Sequence, residues 1–209
     1  MLRRRSLSRV TDLAPAHDEL VTLVSAAGRV ADHSSLRPWR LIELRGDDRR
    51  TLGRAIHEAE GKDGESSKPL RAPLLIAVVA RIRPGGKVPD WEQEAVAAGV
   101  AHALSLLLDE AGWGVIWRTG GHTRSAPVAA AHRLGEGERL LGWLYVGGKP
   151  EREKRSGHAR SVDGEAFLST LDAPPAAARR AHKGGTHEGD RASGKRKRDE
   201  RGRTRKKDS

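Results

Sequence analysis

Two arginine-bearing clusters, over a hundred residues apart, carry the side chains best suited to chemistry in this sequence. One is Arg4-Arg5-Ser6. The other is Trp117-Arg118-Thr119-Gly120, at the end of an apolar segment. Each sets a guanidinium beside a small hydroxyl. The guanidinium offers five N–H donors in a rigid fork, a shape suited to phosphate and to the carbonyl edge of a heterocycle. Gly120 and Gly121 allow backbone to approach a ligand closely, and strand ends are preferred ligand positions in α/β folds. A third cluster, Asp32-His33 with Pro38-Trp39, lies between them. Plainer readings compete at each place: a solvated basic N-terminus for Arg4 to Ser6, a strand-to-loop turn with a core tryptophan for Trp117 to Gly121, and a locally hydrogen-bonded loop histidine for His33.

The elements that must position these clusters follow from periodicity and punctuation. Pro15 with Asp18-Glu19 predicts a helix start, because carboxylates are favoured in a first turn; the helix runs through Leu20, Leu23, Val24 and Ala27 to Gly28. Val30 to Pro38 is a loop and Trp39 to Leu44 a strand. Asp47 or Asp48 is expected to cap a helix through Leu52, Ala55, Ile56 and Ala59. Gly61 to Lys68 is a polar loop. The apolar run from Ala72 to Ala80 predicts a strand buried on both faces. After the loop from Arg81 to Pro89, Asp90 opens the longest helix, in which Val96, Val100, Leu104, Leu107 and Leu108 recur at the helical period; Gly112 and Gly114 are expected to end it. Val115 to Trp117 is a strand, Ala126 to His132 a short helix, and Leu140 to Val146 a further strand. The order predicts one mixed α/β domain with a long central helix packed on a sheet.

Composition sets limits. The chain has 209 residues and a net charge of +11, but residues 173–209 hold 13 Lys/Arg against 5 Asp/Glu, a net of +8. The preceding 172 residues carry 26 basic and 23 acidic side chains, a net of +3, typical of an ordinary globular domain. The domain is expected over 1–150, a C-terminal extension over 151–172, in which Ala166-Phe167-Leu168 and Leu171 could dock, and a disordered basic tail over 173–209. Cysteine is absent, which excludes disulfides, thiolate metal sites, iron–sulfur clusters and cysteine catalysis. No apolar run follows the basic start, so no secretion signal is expected, and no stretch reaches the roughly 18 apolar residues of a membrane span. A cytoplasmic protein is the expectation. No carboxylate or second histidine stands at ligand spacing around His33, His102 reads as a polar-face or interface residue of the long helix, and His182 and His187 in the tail are not metal-like, so no metal is expected. Rossmann, P-loop and nucleophile-elbow signatures are missing.

Several segments, in order, carry a resemblance: Arg4-Arg5-Ser6; Pro15 and Glu19-Leu20; Ala26-Ala27 through Asp32-His33; Leu36-Arg37-Pro38-Trp39-Arg40; Arg71-Ala72-Pro73-Leu74; Lys87-Val88-Pro89 with Trp91-Glu92-Gln93; Gly112, Gly114 and Trp117 to Gly120; and Gly142, Leu144-Tyr145 and Gly147. Together these resemble the nitroreductase family of FMN-dependent NAD(P)H oxidoreductases, in its compact bacterial form. The resemblance covers about residues 3 to 150 and implies an α+β fold whose mainly antiparallel sheet is flanked by helices around a long central helix. It implies a homodimer with FMN in clefts at the subunit interface. Carried over by position, Arg4, Arg5, Ser6, Trp117, Arg118 and Thr119 would hold FMN, and Arg29 and His33 would reach it from the other subunit. Leu107, Leu108, Asp109, Glu110, Ala111 and Gly112 align with a segment assigned to NAD(P). The implied chemistry is hydride transfer from NADH or NADPH through flavin N5 to a nitroaromatic, quinone or similar acceptor, in ping-pong turnover. The acceptor pocket would be lined by the loops Gly61 to Lys68 and Arg81 to Pro89.

Three departures from the family pattern stand out. Only three residues precede Arg4, so the helix that often precedes this cluster is expected to be missing or shortened. Arg40 follows Trp39 where related chains can carry histidine. The basic tail is an addition. Such a tail can bind phosphate backbones without sequence preference, so a nucleic-acid-associated protein is the alternative reading. It lacks the interleaved aromatics that stack on bases, and a solubilising extension with no partner is also compatible.

Overall fold

A computed structural model of the chain describes residues 4–151 and 162–171. The chain divides into two compact units, Met1–Ala159 and Arg160–Ser209, and the break falls inside the segment expected as a C-terminal extension. The tail over 173–209 lies outside the described residues, as does its expected disorder and nucleic-acid binding.

The first unit runs α1 (His17–Ala27), β1 (Trp39–Leu44), α2 (Gly46–Ala59), β2 (Leu74–Arg81), α3 (Asp90–Glu110), β3 (Trp113–Arg118), α4 (Ala126–Ala131) and β4 (Glu138–Gly148), with short 3-10 turns at His33–Ser35, Lys68–Arg71 and Gly121–Arg124. The four strands form one sheet in the order β1-β2-β4-β3. Every pairing is antiparallel, as expected of an α+β fold.

β2 shows why the sheet lies inside. Successive side chains of a strand point to opposite faces, and here both faces are apolar. Leu74, Ile76 and Val78 join Val100, Leu104 and Leu108 of α3 and Leu20 of α1 on one side. Leu75, Ala77 and Val79 join Leu52, Ala55 and Ile56 of α2 and Val128 of α4 on the other. All of these strand residues are almost fully buried. At about 1.5–3 kcal/mol for each large aliphatic side chain withdrawn from water, this two-sided burial fixes the strand's register.

Two sequence expectations need correction. Asp47 and Asp48 do not cap α2: the cap position is Arg45, and both aspartates lie within the first turn, where they favour the positive end of the helix dipole. Gly112, with φ +91, does leave α3, but Gly114 lies inside β3 and serves close packing. A Cβ on Gly114 would stand 2.9 Å from Val10 Cγ1 and 3.1 Å from Leu7 Cδ1. Its cross-strand partner is Gly147, where a Cβ would stand 2.7 Å from the Thr11 carbonyl oxygen and 2.6 Å from Val10 Cγ2. This glycine pair seats the N-terminal segment, which is pinned by Leu7 N–H to Val115 O (3.0 Å), Thr11 N–H to Gly148 O (2.9 Å) and Gly148 N–H to Leu13 O (2.8 Å).

In the second unit, Gly164–Ala166 form a 3-10 turn whose start is capped by Asp163 accepting from Glu165 N–H. Phe167, Leu168 and Leu171, expected to dock, are exposed.

Gly147→Ala is expected to unseat the N-terminal segment, since the conflict is with the Thr11 backbone as well as the short, β-branched Val10 side chain. Overpacking of this kind costs about 1–3 kcal/mol. Urea denaturation should show a lower midpoint with an unchanged slope.

Candidate functional site

The N-terminal segment is seated against β3 and β4. Leu7 bonds to Val115, and Thr11 bonds to Gly148, which pairs with Trp113. The segment therefore crosses from β3 at Leu7 to β4 at Thr11, over the Gly114/Gly147 pair, and Arg4 to Ser6 lie just before the β3 contact. Arg4 and Arg5 are half-buried and Ser6 is exposed.

At that end the strand pleat sends Trp117 and Arg118 to opposite faces. Trp117 packs towards the α1/α3 side. Arg118 lies on the α2/α4 side, its guanidinium carbon 5.3 Å from the centre of the Tyr145 ring, within cation–π range. Trp117 Nε1 and Arg118 Nε are both buried without a hydrogen-bond partner. Unsatisfied buried donors are uncommon; of these two, Arg118 Nε lies on the α2/α4 side and Trp117 Nε1 on the α1/α3 side of the strand. The approach depends on Gly142. A Cβ there would stand 2.8 Å from Trp117 Nε1 and 3.0 Å from Thr119 Cγ2. Gly142 has φ +143 and sits where the β2–β4 register slips, Val78 pairing with Gly142 but Val79 with Leu140. The bulge and the glycine together let the end of β3 at Arg118 pass close over β4.

Arg118 opens onto a cleft of about 460 Å³ lined by Ile56, Lys68, Arg71, Trp117, His122, Trp143 and Tyr145 among others, within the usual size of a cofactor site. Lys68, Arg71 and His122 were not assigned from the sequence. Arg71 was at hand within the Arg71-Ala72-Pro73-Leu74 segment. Lys68 and His122 carry no local signal: each comes in on a separate 3-10 turn, and they meet at Glu60, whose carboxylate lies 2.8 Å from Lys68 Nζ and 3.2 Å from His122 Nε2. Hydrogen bonds from Lys62 and Lys68 pull the Glu60 carboxyl down to about 2. Arg71 and Arg118 have no acidic partner among the described residues, so the cleft keeps net positive charge. Tyr145, whose hydroxyl is raised by burial, and Trp143 supply aromatic walls.

The third cluster stands elsewhere in the same protomer. His33 Nδ1 lies 3.2 Å from Glu92 Oε1 of α3, and both line a groove of about 400 Å³ with Val30, Asp32, Val96 and Gly99. Asp32 Oδ2 accepts from Arg37 N–H at 2.7 Å and braces a turn in which Ser34, Ser35 and Arg37 have φ of +59, +52 and +48. Left-handed non-glycine residues cost of order 1–3 kcal/mol each and collect at functional loops. Arg29, just beyond α1, is exposed. This groove and the Arg118 cleft share no lining residue, so a single protomer does not unite the three clusters.

Leu107 to Gly112 form the end of α3 and the turn into β3. Leu108 is fully buried, Asp109 pairs with Lys149, and the segment enters β3 at the end opposite Arg118, a strand length of roughly 17 Å away. Among the described residues no group of three or more His, Asp or Glu could hold a metal, and no helix is long and apolar enough to cross a membrane.

The nitroreductase family profile matches residues 1–148. The chain belongs to the nitroreductase family. It is similar to YdjA of Escherichia coli, named as an NAD(P)H nitroreductase, with 34% identity over 155 residues that cover 70% of this chain and 85% of YdjA. The crystal structure of a nitroreductase-like family protein from Bacillus cereus superposes with a TM-score of 0.68 at 26% identity, covering 80% of this chain and 92% of that one. An FMN-dependent nitroreductase from Clostridium difficile shares the fold with a TM-score of 0.61 at 17% identity, covering 81% and 95%. The family fixes the chain as an oxidoreductase.

The loops expected to line an acceptor pocket are differently placed. Lys68, at the end of one, lines the cleft. The other is tied to α3 by buried Gln93, which accepts from Arg83 N–H and donates to the Arg83 and Val88 carbonyls. Arg40, the departure from the nitroreductase pattern, has a structural role: it clasps Glu138 with two bonds, Nε at 2.7 Å and Nη2 at 2.6 Å, across β2. That pairing lowers the Glu138 carboxyl to about 2.

Because the folded-state value lies below the unfolded one, the Glu138 contribution is complete above about pH 4.5 and is lost as the pH falls towards 2. Glu138→Gln is expected to cost about 1.5–3 kcal/mol at pH 7 and to flatten the fall in thermal midpoint between those two pH values, measured by circular dichroism.

Proposed function

We propose that this nitroreductase-family oxidoreductase is an FMN-dependent NAD(P)H oxidoreductase that works as a homodimer in the cytoplasm. The single observation that carries the reading is Arg118, its Nε buried without a partner, lining a cationic, aromatic-walled cleft of cofactor size together with Lys68, Arg71, Trp143 and Tyr145. The donor set fits FMN: aromatic faces for the ring system, cations for the phosphate and the carbonyl edge, glycine where backbone must come close. When bound, FMN supplies hydride transfer at N5, taking hydride from NAD(P)H and passing it to an acceptor such as a nitroaromatic or a quinone in two half-reactions.

The residues do the rest. Arg118, with Lys68 and Arg71 near it, supplies fixed positive charge that favours a ligand carrying more negative charge, and so favours the reduced state of a bound flavin. The cation–π contact with Tyr145 holds the Arg118 guanidinium in place before any ligand arrives. Arg4, Arg5, Ser6 and Thr119 complete this wall. Arg29 and His33, remote in the same protomer, are assigned to the cleft of a second copy, which makes the dimer necessary for a complete site. Leu107 to Gly112 remain the proposed NAD(P) segment, through their exposed members Glu110, Ala111 and Gly112.

The purified full chain should be yellow or turn yellow with added FMN, show flavin absorption, and oxidise NADH or NADPH when given a nitroaromatic or quinone. Arg118→Met is expected to weaken FMN binding about tenfold or more, as removal of a charged hydrogen bond in a desolvated site does; titration of flavin fluorescence measures this. A colourless protein that binds no FMN would contradict the reading.

A further inference from the structure

His132 is the most deeply buried ionisable side chain near the cleft, and nothing above uses it. It ends α4 at 4% exposure. Its Nε2 lies 3.0 Å from Trp143 Nε1, and its Nδ1 lies 2.7 Å from the Val128 carbonyl oxygen. The chemistry of the partners fixes the tautomer. An indole N–H only donates, so Nε2 must present its lone pair; a carbonyl only accepts, so Nδ1 carries the hydrogen. The ring bridges two elements in its neutral form. Trp143 in turn is the direct cross-strand partner of Arg118, which puts the two side chains on the same face of the sheet. Both line the cleft.

We propose that His132 is a positioning residue of the cleft: its neutral ring, accepting from the Trp143 indole, holds that wall in place beside Arg118 and so sets the fit of the bound ligand. The inference rests on the reading that the cleft takes FMN. Protonation of His132 would place a hydrogen on Nε2, so that two donors face each other and the indole must move. Burial, aided by the Arg40 charge, lowers the imidazole from its ordinary value of 6.5, so the neutral ring persists below the usual range and is lost only in acid. Among the described residues no carboxylate raises the His132 imidazole. Glu138 of β4 is engaged by Arg40 of β1. Arg133 follows on the same chain, the 3-10 turn before α4 carries His122 and Arg124, and α2 adds apolar Leu52, Ala55 and Ile56 to the shared core.

The test compares full-length wild type, His132→Phe, His132→Gln and Trp143→Phe between pH 5 and 8. Two quantities are read: the FMN dissociation constant from flavin fluorescence, and, without flavin, the ¹H–¹⁵N signal of the Trp143 indole, assigned by its absence in W143F, together with the Arg118 Nε–H signal. In wild type, FMN affinity is expected to fall in the same acid step, below pH 6.5, in which the indole signal moves. H132F should bind FMN roughly fivefold more weakly at pH 7.5, the scale of one lost buried hydrogen bond, and show no step. H132Q, whose amide can accept from the indole and donate to Val128, should restore affinity without the step, which a merely structural loss would not do. Unchanged affinity in both folded variants, or a wild-type affinity step unaffected by H132Q, would overturn the proposal. If no form of the chain binds FMN, the flavin reading has failed, and His132 is judged on the two signals alone: coincident acid movement of the Trp143 and Arg118 signals supports its role, and independent movement overturns it.

Discussion

The antiparallel pairing of β4 with β2 on one side and β3 on the other is the constraint on which the rest of the structure depends. β2 is buried on both faces by α1 and α3 on one side and α2 and α4 on the other, so its register cannot slip without exposing a full set of aliphatic side chains. β4 inherits that register and hands it to β3, but with one break. The slip at Val78/Val79 and the positive φ of Gly142 let the Arg118–Thr119 backbone cross close over β4. The same strand carries Gly147 and Gly148, which accept the N-terminal segment. One strand thus shapes the Arg118 wall through Gly142 and seats Val10 and Thr11 of the N-terminal segment through Gly147.

Charge is sorted on this frame into two kinds. Arg40 with Glu138, Arg139 with Asp90 and Glu94, and Lys149 with Asp109 are paired within the fold; such pairs on a partly exposed surface contribute modestly and mainly fix geometry. Arg71 and Arg118 are left without acidic partners among the described residues, and Arg118 lies over the Tyr145 ring, which stabilises a cation without neutralising it. What sets Arg71 and Arg118 apart from other arginines without an ion pair is that both line one aromatic-walled cleft. The left-handed run at Ser34, Ser35 and Arg37 is a second concentration of cost, on the opposite side of the same chain, and it presents His33 and Arg29 outward.

Much of this was legible in the sequence where the signal is local. The bounds of β1, the double burial of β2 and the helical period of α3 follow directly from the spacing of apolar residues. Trp117-Arg118-Thr119 could be singled out because a strand end followed by glycines is a recognisable place for a ligand. What was not legible depends on contacts between distant segments. Lys68 and His122 come within reach of one carboxylate only after two separate 3-10 turns are packed together. Gly114 reads as a helix stop because its true reason, the Val10 side chain, lies a hundred residues earlier. Asp47 and Asp48 read as caps because cap and first-turn positions favour the same residues. Arg40 read as a departure; its purpose appears only when β4 sets Glu138 two strands away.

The most direct measurement is a crystal structure of the full chain with FMN. The flavin is expected in the Arg118 cleft, with Trp117, Arg118 and Thr119 on one wall, Arg4 to Ser6 beside them, and Arg29 and His33 arriving from a second copy. A flavin seated away from Arg118, or a complete site formed within one protomer without Arg29 and His33 of another, would contradict the convergence of the clusters.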